Sequence, residues 1–149
     1  MGITFDLNIN KVVDKANLAG RVAIEQAHVF IDQLTEVGAQ AAREKLNAET
    51  TKYGEKRFAS GQGGSAGRND SGEMISHLVA LGATVDDNDN VYGSVGWENP
   101  EAYQYAQELG GGNNIPAANS LFAAEEAMMN NIGRLSKNMK ERIRYRVGR

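Results

Sequence analysis

Residues 92–127, YGSVGWENPEAYQYAQELGGGNNIPAANSLFAAEEA, decide how the chain folds. Their first residues alternate between apolar and small or polar types up to Trp97, which is the pattern of a strand with one buried face. Asn99 and Pro100 form an N-cap and first-turn pair for a helix that runs to about Leu109. Three glycines, 110–112, end this helix, and a second, longer helix follows.

The residues just before this segment complete a β-hairpin. Apolar residues alternate from Val79 to Val85 and again from Val91 to Trp97, and five Asp and Asn residues, 86–90, lie between the two runs. Alternation of period two on both sides of an Asp/Asn turn predicts two antiparallel strands.

The hairpin is preceded by a Gly- and Ser-rich stretch, residues 57–69, whose composition predicts a flexible loop. Asp70 and Glu73 then resemble a capping box and predict the start of a short helix. The apolar residues that we assign to this helix are Met74, Ile75 and Leu78.

The N-terminal part predicts an arm and a long helix. Residues 1–9 alternate in polarity and predict an extended arm that pairs with its own sheet or with a neighbour's. Asn10 caps a helix that ends near Gly54. A helix of roughly 40 residues is about 60 Å long, which exceeds a compact domain of this size. The helix therefore either breaks near Gly38 or projects and packs on another subunit, and we favour the second. Its apolar stripe is rich in Ala: Val12, Ala16, Ala19, Ala23, Ala27, Phe30, Leu34, Val37 and Ala41.

The last helix is predicted from about Pro116 or Ala117, and its end is basic. We expect the segment from about 137 to 149 to continue as a strand or a basic tail. Its cations either contact the phosphates of DNA, with Tyr145 available to stack, or stabilise the helix end and contact the acids of a neighbour. The second interpretation is favoured. The basic residues concerned are Lys137, Lys140, Arg142, Arg144, Arg146 and Arg149. The apolar face of this helix holds Leu121, Ala124, Met128, Ile132, Leu135, Met139 and Ile143.

Together these patterns predict a single α+β domain, residues 1–149, with a long N-terminal helix, an antiparallel β-hairpin, short helices and a long C-terminal helix. The net charge of −3 implies no bulk electrostatic partner. The absence of cysteine excludes disulfides. No apolar run approaches the roughly 20 residues of a membrane span, and the first residues do not resemble a signal peptide. We therefore expect an intracellular product that does not contact membranes.

The candidate catalytic and metal-binding patterns are weak. Residues 86–90 lack the Gly and Glu that an EF-hand loop needs, so we expect a solvated turn. The glycines of 61–64 are not followed by Gly-Lys-Ser/Thr, so we expect a connector and not a phosphate-binding loop. His28 and His77 have no ligand or triad partner at a suitable spacing.

Three carboxylates, Glu98, Glu101 and Glu108, surround the aromatic segment, and paired carboxylates can act as acid and base. Structural duty is favoured, since an acid in a first helical turn suits the helix dipole. We predict no catalytic residue, no cofactor and no metal. A small hydrolase or metal enzyme would need a convergent set of titratable groups that the spacing does not show.

Four ordered motifs resemble the neck, tail-completion or head–tail joining proteins of long-tailed bacteriophages. They are GRNDSGEMISHL at 67–78, YGSVGW at 92–97, AYQYAQELG at 102–110 and IPAANSLFAAEEA at 115–127. The long Ala-rich helix before the Gly-rich loop also fits this family. Each motif is short, and their order and spacing carry the resemblance.

The resemblance implies a small α+β subunit, not an enzyme, in a ring of six copies around the channel through which DNA leaves the capsid. In the virion the subunit would lie in the neck or at the top of the tail. During assembly it would be in the host cytoplasm. The implied partners are further copies, the portal, adaptor, stopper or tail-tube proteins, and DNA at most weakly. A tail terminator or minor tail protein, and a nucleic-acid-binding module that uses the basic C-terminus, remain alternatives. The implied interface residues are Trp97, Tyr103, Tyr105, Glu108 and Phe122.

Overall fold

A computed structural model describes residues 9–59, 73–98, 108–110 and 117–148, with side chains described from Asp14 onward and not for 49–59 or Glu73. The fold is mixed α+β and mostly helical, which confirms the predicted fold class. Residues 1–8, most of the Gly-rich stretch, Tyr103, Tyr105 and Arg149 lie outside the described residues. The elements are α1 (Ile9–Ala59), α2 (Glu73–Ser76), β1 (Leu78–Val85), β2 (Val91–Trp97) and α3 (Ser120–Val147).

Helix α1 is continuous over 51 residues. This excludes the break near Gly38, which was the less favoured alternative, and the predicted end near Gly54 is wrong. A single glycine costs a helix only about 1 kcal/mol relative to alanine, and good helix formers follow Gly54. At 1.5 Å per residue α1 is about 77 Å long, whereas a compact chain of this length has a radius of gyration of about 15 Å. Between Asp14 and Arg21 every side chain except Ala19 is exposed, so this end of α1 projects.

Gly38 marks a close approach of three elements. A Cβ atom at this position would lie 3.0 Å from the Met128 side chain of α3 and 3.1 Å from Val95 Cγ2 of β2. Because both distances are shorter than ordinary contacts, the missing side chain lets α3 and the hairpin pack against α1 at the same level.

The two strands pair antiparallel, from Leu78 opposite Trp97 to Val85 opposite Val91, with an irregularity between Leu81 and Thr84. This confirms the predicted hairpin. The predicted position of Leu78 in the short helix is wrong, since α2 ends at Ser76 and Leu78 pairs in the sheet.

The hairpin lies along α1, and strand β1 runs antiparallel to that helix. Arg43 Nε donates a hydrogen bond to the carbonyl of Leu78 at 3.1 Å. Further along β1, the N–H of Ala83 donates to Asp32 Oδ1 at 2.7 Å. The turn of the hairpin therefore lies towards the N-terminal end of α1.

The core lies where α1, α2, the hairpin and the start of α3 meet, and small residues make up much of it. Its buried cluster consists of Ala39, Ala42, Leu46, Met74, Leu78, Trp97, Ala118 and Ala124. Alanine buries little apolar area, so this cluster contributes less free energy than one of large aliphatic residues.

Helix α3 packs antiparallel on α1. Arg142 Nη2 donates to Gln33 Oε1 at 3.3 Å, and Arg146 Nη1 pairs with Glu25 Oε2 at 2.6 Å. The helix begins at Ser120, a few residues later than predicted, and continues to Val147. The predicted strand or separate tail from about 137 is therefore wrong, because basic residues in the last turn suit the negative end of a helix dipole.

Candidate interaction surface

One face of α3 carries large apolar side chains that are exposed in the described part of the chain. Phe122 is 63% exposed and Met129 is 65% exposed. Positions seven apart on an α-helix differ by about 20° in direction, so these two side chains lie on one face. Ile132, which is 42% exposed, borders the same face. We call Phe122, Met129 and Ile132 the apolar row.

Leu109 adds to the exposed apolar surface near the start of α3. It is 75% exposed, and its neighbour Glu108 is bonded to the first turn of α3. An exposed apolar surface of this kind is typical of an interaction site.

The same face of α3 becomes basic towards its C-terminal end. Lys137, Lys140 and Arg144 are exposed and are spaced three and four residues apart, so they form one stripe. We call these three residues the basic stripe. Arg142 and Arg146, which the sequence placed in the same group, instead bond to α1. The structure thus divides the predicted basic segment into two sets with different neighbours.

Glu108 is the residue that fixes the start of α3. Its Oε1 accepts a hydrogen bond from the N–H of Leu121 at 2.7 Å, and its Oε2 accepts one from the Ser120 hydroxyl at 2.5 Å. Asn119 holds the N-cap position with φ 55° and makes no side-chain cap bond. Glu108 therefore supplies the cap from another segment of the chain, and its carboxylate also favours the positive end of the helix dipole.

The bonds of this cap bear on the role of Glu108, one of the three carboxylates near the aromatic segment. Glu108 is only 7% exposed, and both of its oxygens are bonded within the subunit. The expectation of a structural duty holds at this position. Its interface role, which the resemblance implied, remains a prediction.

Trp97 is also an interior residue. It is 8% exposed, and its Nε1 donates to the carbonyl of Met74 at 2.9 Å. Among the five predicted interface residues, the structure places Phe122 on the surface and Trp97 and Glu108 inside the subunit. Tyr103 and Tyr105 lie outside the described residues.

The acidic residues 86–90 form a turn, as predicted. Asp86 Oδ1 accepts hydrogen bonds from the N–H groups of Asn88 and Asn90, and Oδ2 accepts one from the Asn90 side chain, at 2.8 to 2.9 Å. The Asn90 side-chain amide, followed by the two backbone N–H groups, holds the pKa of Asp86 below its ordinary value of 3.8. Over the described part of the chain, no group of three or more His, Asp or Glu residues is arranged to hold a metal ion. His77 is exposed, and His28 is half-buried on α1.

A groove of about 790 Å³ lies between α1 and α3, near the basic end of α3. We call it the α1–α3 groove. It is lined by Gln26, Gln33, Arg134, Leu135, Asn138, Glu141, Arg142, Tyr145 and Arg146. The periodicity of α3 could not have revealed it, because the groove exists only where two helices distant in sequence meet.

Comparison with models of known protein families, with characterised proteins and with solved structures gives no match. Within the described ranges, no helix has an apolar stretch long enough to cross a bilayer. The residue contacts described above are therefore the physical basis for a functional proposal.

Proposed function

We propose that this chain is a structural virion protein that forms a ring in the neck, or at the top of the tail, of a long-tailed bacteriophage. Six copies would surround the DNA channel and join the capsid connector to the tail. The protein would act by assembly and not by catalysis, without a cofactor. Its other partners would be the portal, adaptor, stopper or tail-tube proteins, and it would occupy the host cytoplasm before it enters the virion.

The apolar row on α3 is the observation that carries this proposal. Burying a large apolar side chain contributes about 1.5–3 kcal/mol, and Phe122 and Met129 leave most of that free energy unused within one subunit. A second subunit that covers the row would gain it, and closed rings offer such contacts to every copy.

Two further features support assembly. The exposed end of α1, residues 14–21, extends away from the packed part of the chain and is available to a neighbour. The α+β architecture is also the one that the resemblance to neck proteins implies.

Negative-stain electron microscopy and native mass spectrometry of the purified chain test the proposal. The chain is measured alone and after mixing with the connector protein encoded by the same genome. We expect closed rings with a central channel in at least one of the two samples, with six copies as the expected number. A chain that stays monomeric in both samples would contradict the proposal.

A pair of matched variants links the ring to the apolar row. Phe122→Ser removes an exposed apolar side chain of the row, and Lys137→Ser removes an exposed side chain of the same helix that is not apolar. We expect the first to abolish or weaken ring formation and the second to leave it intact. Equal behaviour of the two variants would show that the row is not the contact.

A second candidate function, nucleic-acid binding, is favoured by the basic stripe. The three cations of the stripe lie on the side of α3 opposite Arg142 and Arg146, which bond to α1. Three aligned cations suit a phosphate backbone. This function predicts duplex binding that weakens steeply with salt and that Lys137→Glu with Lys140→Glu abolishes. Binding that is unchanged in this double variant would exclude the stripe as a DNA site.

A further inference from the structure

We propose that the α1–α3 groove of one copy binds the acidic turn, residues 86–90, of a second copy. This contact would be a second self-association surface of the proposed ring, beside the apolar row, and to that extent it rests on the proposed function. It is a different surface from the apolar row, so the two can be tested separately.

The groove has an excess of cations. Arg134, Arg142 and Arg146 line it together with one acid, Glu141, and Arg146 is also paired with Glu25, so three cations face two acids. A guanidinium has five N–H donors, and each of these arginines uses only one or two of them in the bonds described for it. The remaining donors match the planar, two-oxygen geometry of a carboxylate.

Gln26 is a second sign that the groove lacks a partner. Its side chain lines the groove, is 7% exposed, and its Oε1 has no hydrogen-bond donor among the described residues. Buried polar atoms normally have a partner. A donor from a docked segment, such as the Asn88 side-chain amide at the tip of the turn, would satisfy this oxygen after a small rotation of the glutamine.

The turn presents carboxylates that no described residue of the subunit pairs with. Asp86 is occupied by the N–H groups of its own turn, whereas Asp87 and Asp89 are exposed and make no ion pair with any described residue. Because the bonds to Asp86 and the two paired strands hold the turn in one shape, docking would cost little conformational entropy.

The two surfaces lie on different sides of α1. The hairpin packs on α1 through Asp32, and β2 approaches it at Ile31 and Thr35 near Gly93. The groove uses Gln26 and Gln33 on the side that faces α3. A contact between two different surfaces is heterologous, and its repetition closes a ring when the rotation permits. Each copy thus has one turn that can bind a neighbour's groove and one groove that can bind another neighbour's turn.

Charge reversal measured by sedimentation velocity at low salt is the first test. Arg134→Glu in the groove, or Asp87→Lys in the turn, should each weaken self-association about tenfold, and the two together should restore it. Among the described residues Arg134 bonds only to Asn131 on its own helix, so its replacement should not disturb the fold, which circular dichroism checks. Arg144→Glu is the matched control, because it makes the same change on α3 outside the groove.

Cysteine cross-linking is the second test. The natural chain has no cysteine, so only the introduced cysteines can form a disulfide. Asp87→Cys and Asn138→Cys variants are mixed under mild oxidation. We expect a disulfide-linked pair of one copy of each variant. Asp87→Cys mixed with Lys140→Cys, an exposed position of α3 outside the groove, should give much less of the pair.

The outcomes separate this inference from the proposed function. Rings that form unchanged in Arg134→Glu and Asp87→Lys, without the cross-link, overturn the inference and leave the ring in place. A natural chain that never associates, even with the connector, overturns both. If Arg134→Glu abolishes duplex DNA binding but not self-association, the groove binds phosphate and the inference is wrong.

Discussion

At the scale of single residues, the start of α3 depends on a carboxylate from outside the helix. Glu108 accepts hydrogen bonds from Ser120 and Leu121, at positions where a serine or aspartate N-cap would normally supply the oxygen. Asn119 stands at the N-cap in the left-handed region, which asparagine tolerates better than most residues. The side chain that starts the helix is therefore distant from it in sequence.

Removal of this carboxylate should be costly. We expect Glu108→Ala to lower the free energy of unfolding by about 1–3 kcal/mol, because it leaves a half-buried N–H and a buried hydroxyl without an acceptor. Ser120→Ala alone should cost about 0.5–1.5 kcal/mol, the value of one hydrogen bond. Urea denaturation of both single variants and the double variant measures the coupling. Costs that add to within about 0.3–0.5 kcal/mol would show that the two side chains act independently.

Asp86 should make stability depend on pH. Hydrogen bonds from Asn90 and Asn88 lower its pKa in the folded state, so the ionised form is favoured by folding. A group of this kind contributes stability above its unfolded pKa, 3.8, and the contribution is lost as the pH falls through the lower folded value.

We therefore expect the stability advantage of the natural chain over Asp86→Asn to be full at neutral pH and to shrink below about pH 4. Chemical denaturation at a series of pH values measures it. Asn90→Ala is the matched variant, since it removes the largest cause of the shift and leaves the backbone donors in place. Its pH dependence should lie between the other two. A constant difference across the whole range would exclude a role of Asp86 ionisation.

At the scale of elements, the hairpin packs on α1 through a glycine. A Cβ atom at Gly93 would lie 2.6 Å from Ile31 Cγ2 and 3.1 Å from the Leu81 carbonyl oxygen, whereas one at Gly96 would meet nothing within 4 Å. Two glycines of one strand thus have opposite surroundings. The sequence predicted the strand but could not distinguish them, because Ile31 is distant in the chain.

Alanine substitutions should separate the two glycines. Gly93→Ala should destabilise the fold by about 1–3 kcal/mol, since the added methyl group forces α1 and β2 apart. Gly96→Ala should be neutral or stabilising by up to about 1 kcal/mol, because glycine is entropically unfavourable in a strand. Thermal unfolding of the two variants decides between them. Equal stabilities would mean that the hairpin can move away from α1 at no cost.

At the scale of the whole molecule, the exposed row should couple stability to assembly. Anything that binds the folded form alone raises its apparent stability, by about 2.7 kcal/mol at a hundredfold excess over the dissociation constant. For a chain of this size that corresponds to a rise in melting temperature of about 5–10 °C. We expect this rise when the natural protein is concentrated from well below to well above the dissociation constant of the assembly.

Met129→Lys should remove the concentration dependence, because it places a charge in the centre of the apolar row. Calorimetry over a concentration series compares the variant with the natural chain, and the variant should keep the melting temperature of the dilute natural protein. A natural chain whose melting temperature does not change with concentration, with or without its connector, would contradict an interface at the row.

Local sequence patterns determined the secondary structure and the fold class. Period-two alternation around the Asp/Asn turn specified the hairpin, and apolar residues every three or four positions specified α1 and α3. These signals are readable because the interactions behind them join residues close together in the chain. The wrong assignment of Leu78 to the short helix also concerned a local choice, since a residue next to a short helix can equally begin a strand.

Tertiary contacts decided the rest. The close approach at Gly38, the cap supplied by Glu108 and the division of the basic residues between α1 and solvent all depend on contacts between separate segments of the chain. Ile132 illustrates the limit, since helical periodicity placed it on the apolar face of α3 together with the buried Ala124 and Leu135, and it is 42% exposed. A period shows which residues share a face, but only the packing of other elements fixes how much of that face is covered. For that reason the candidate surfaces became visible only in the folded chain.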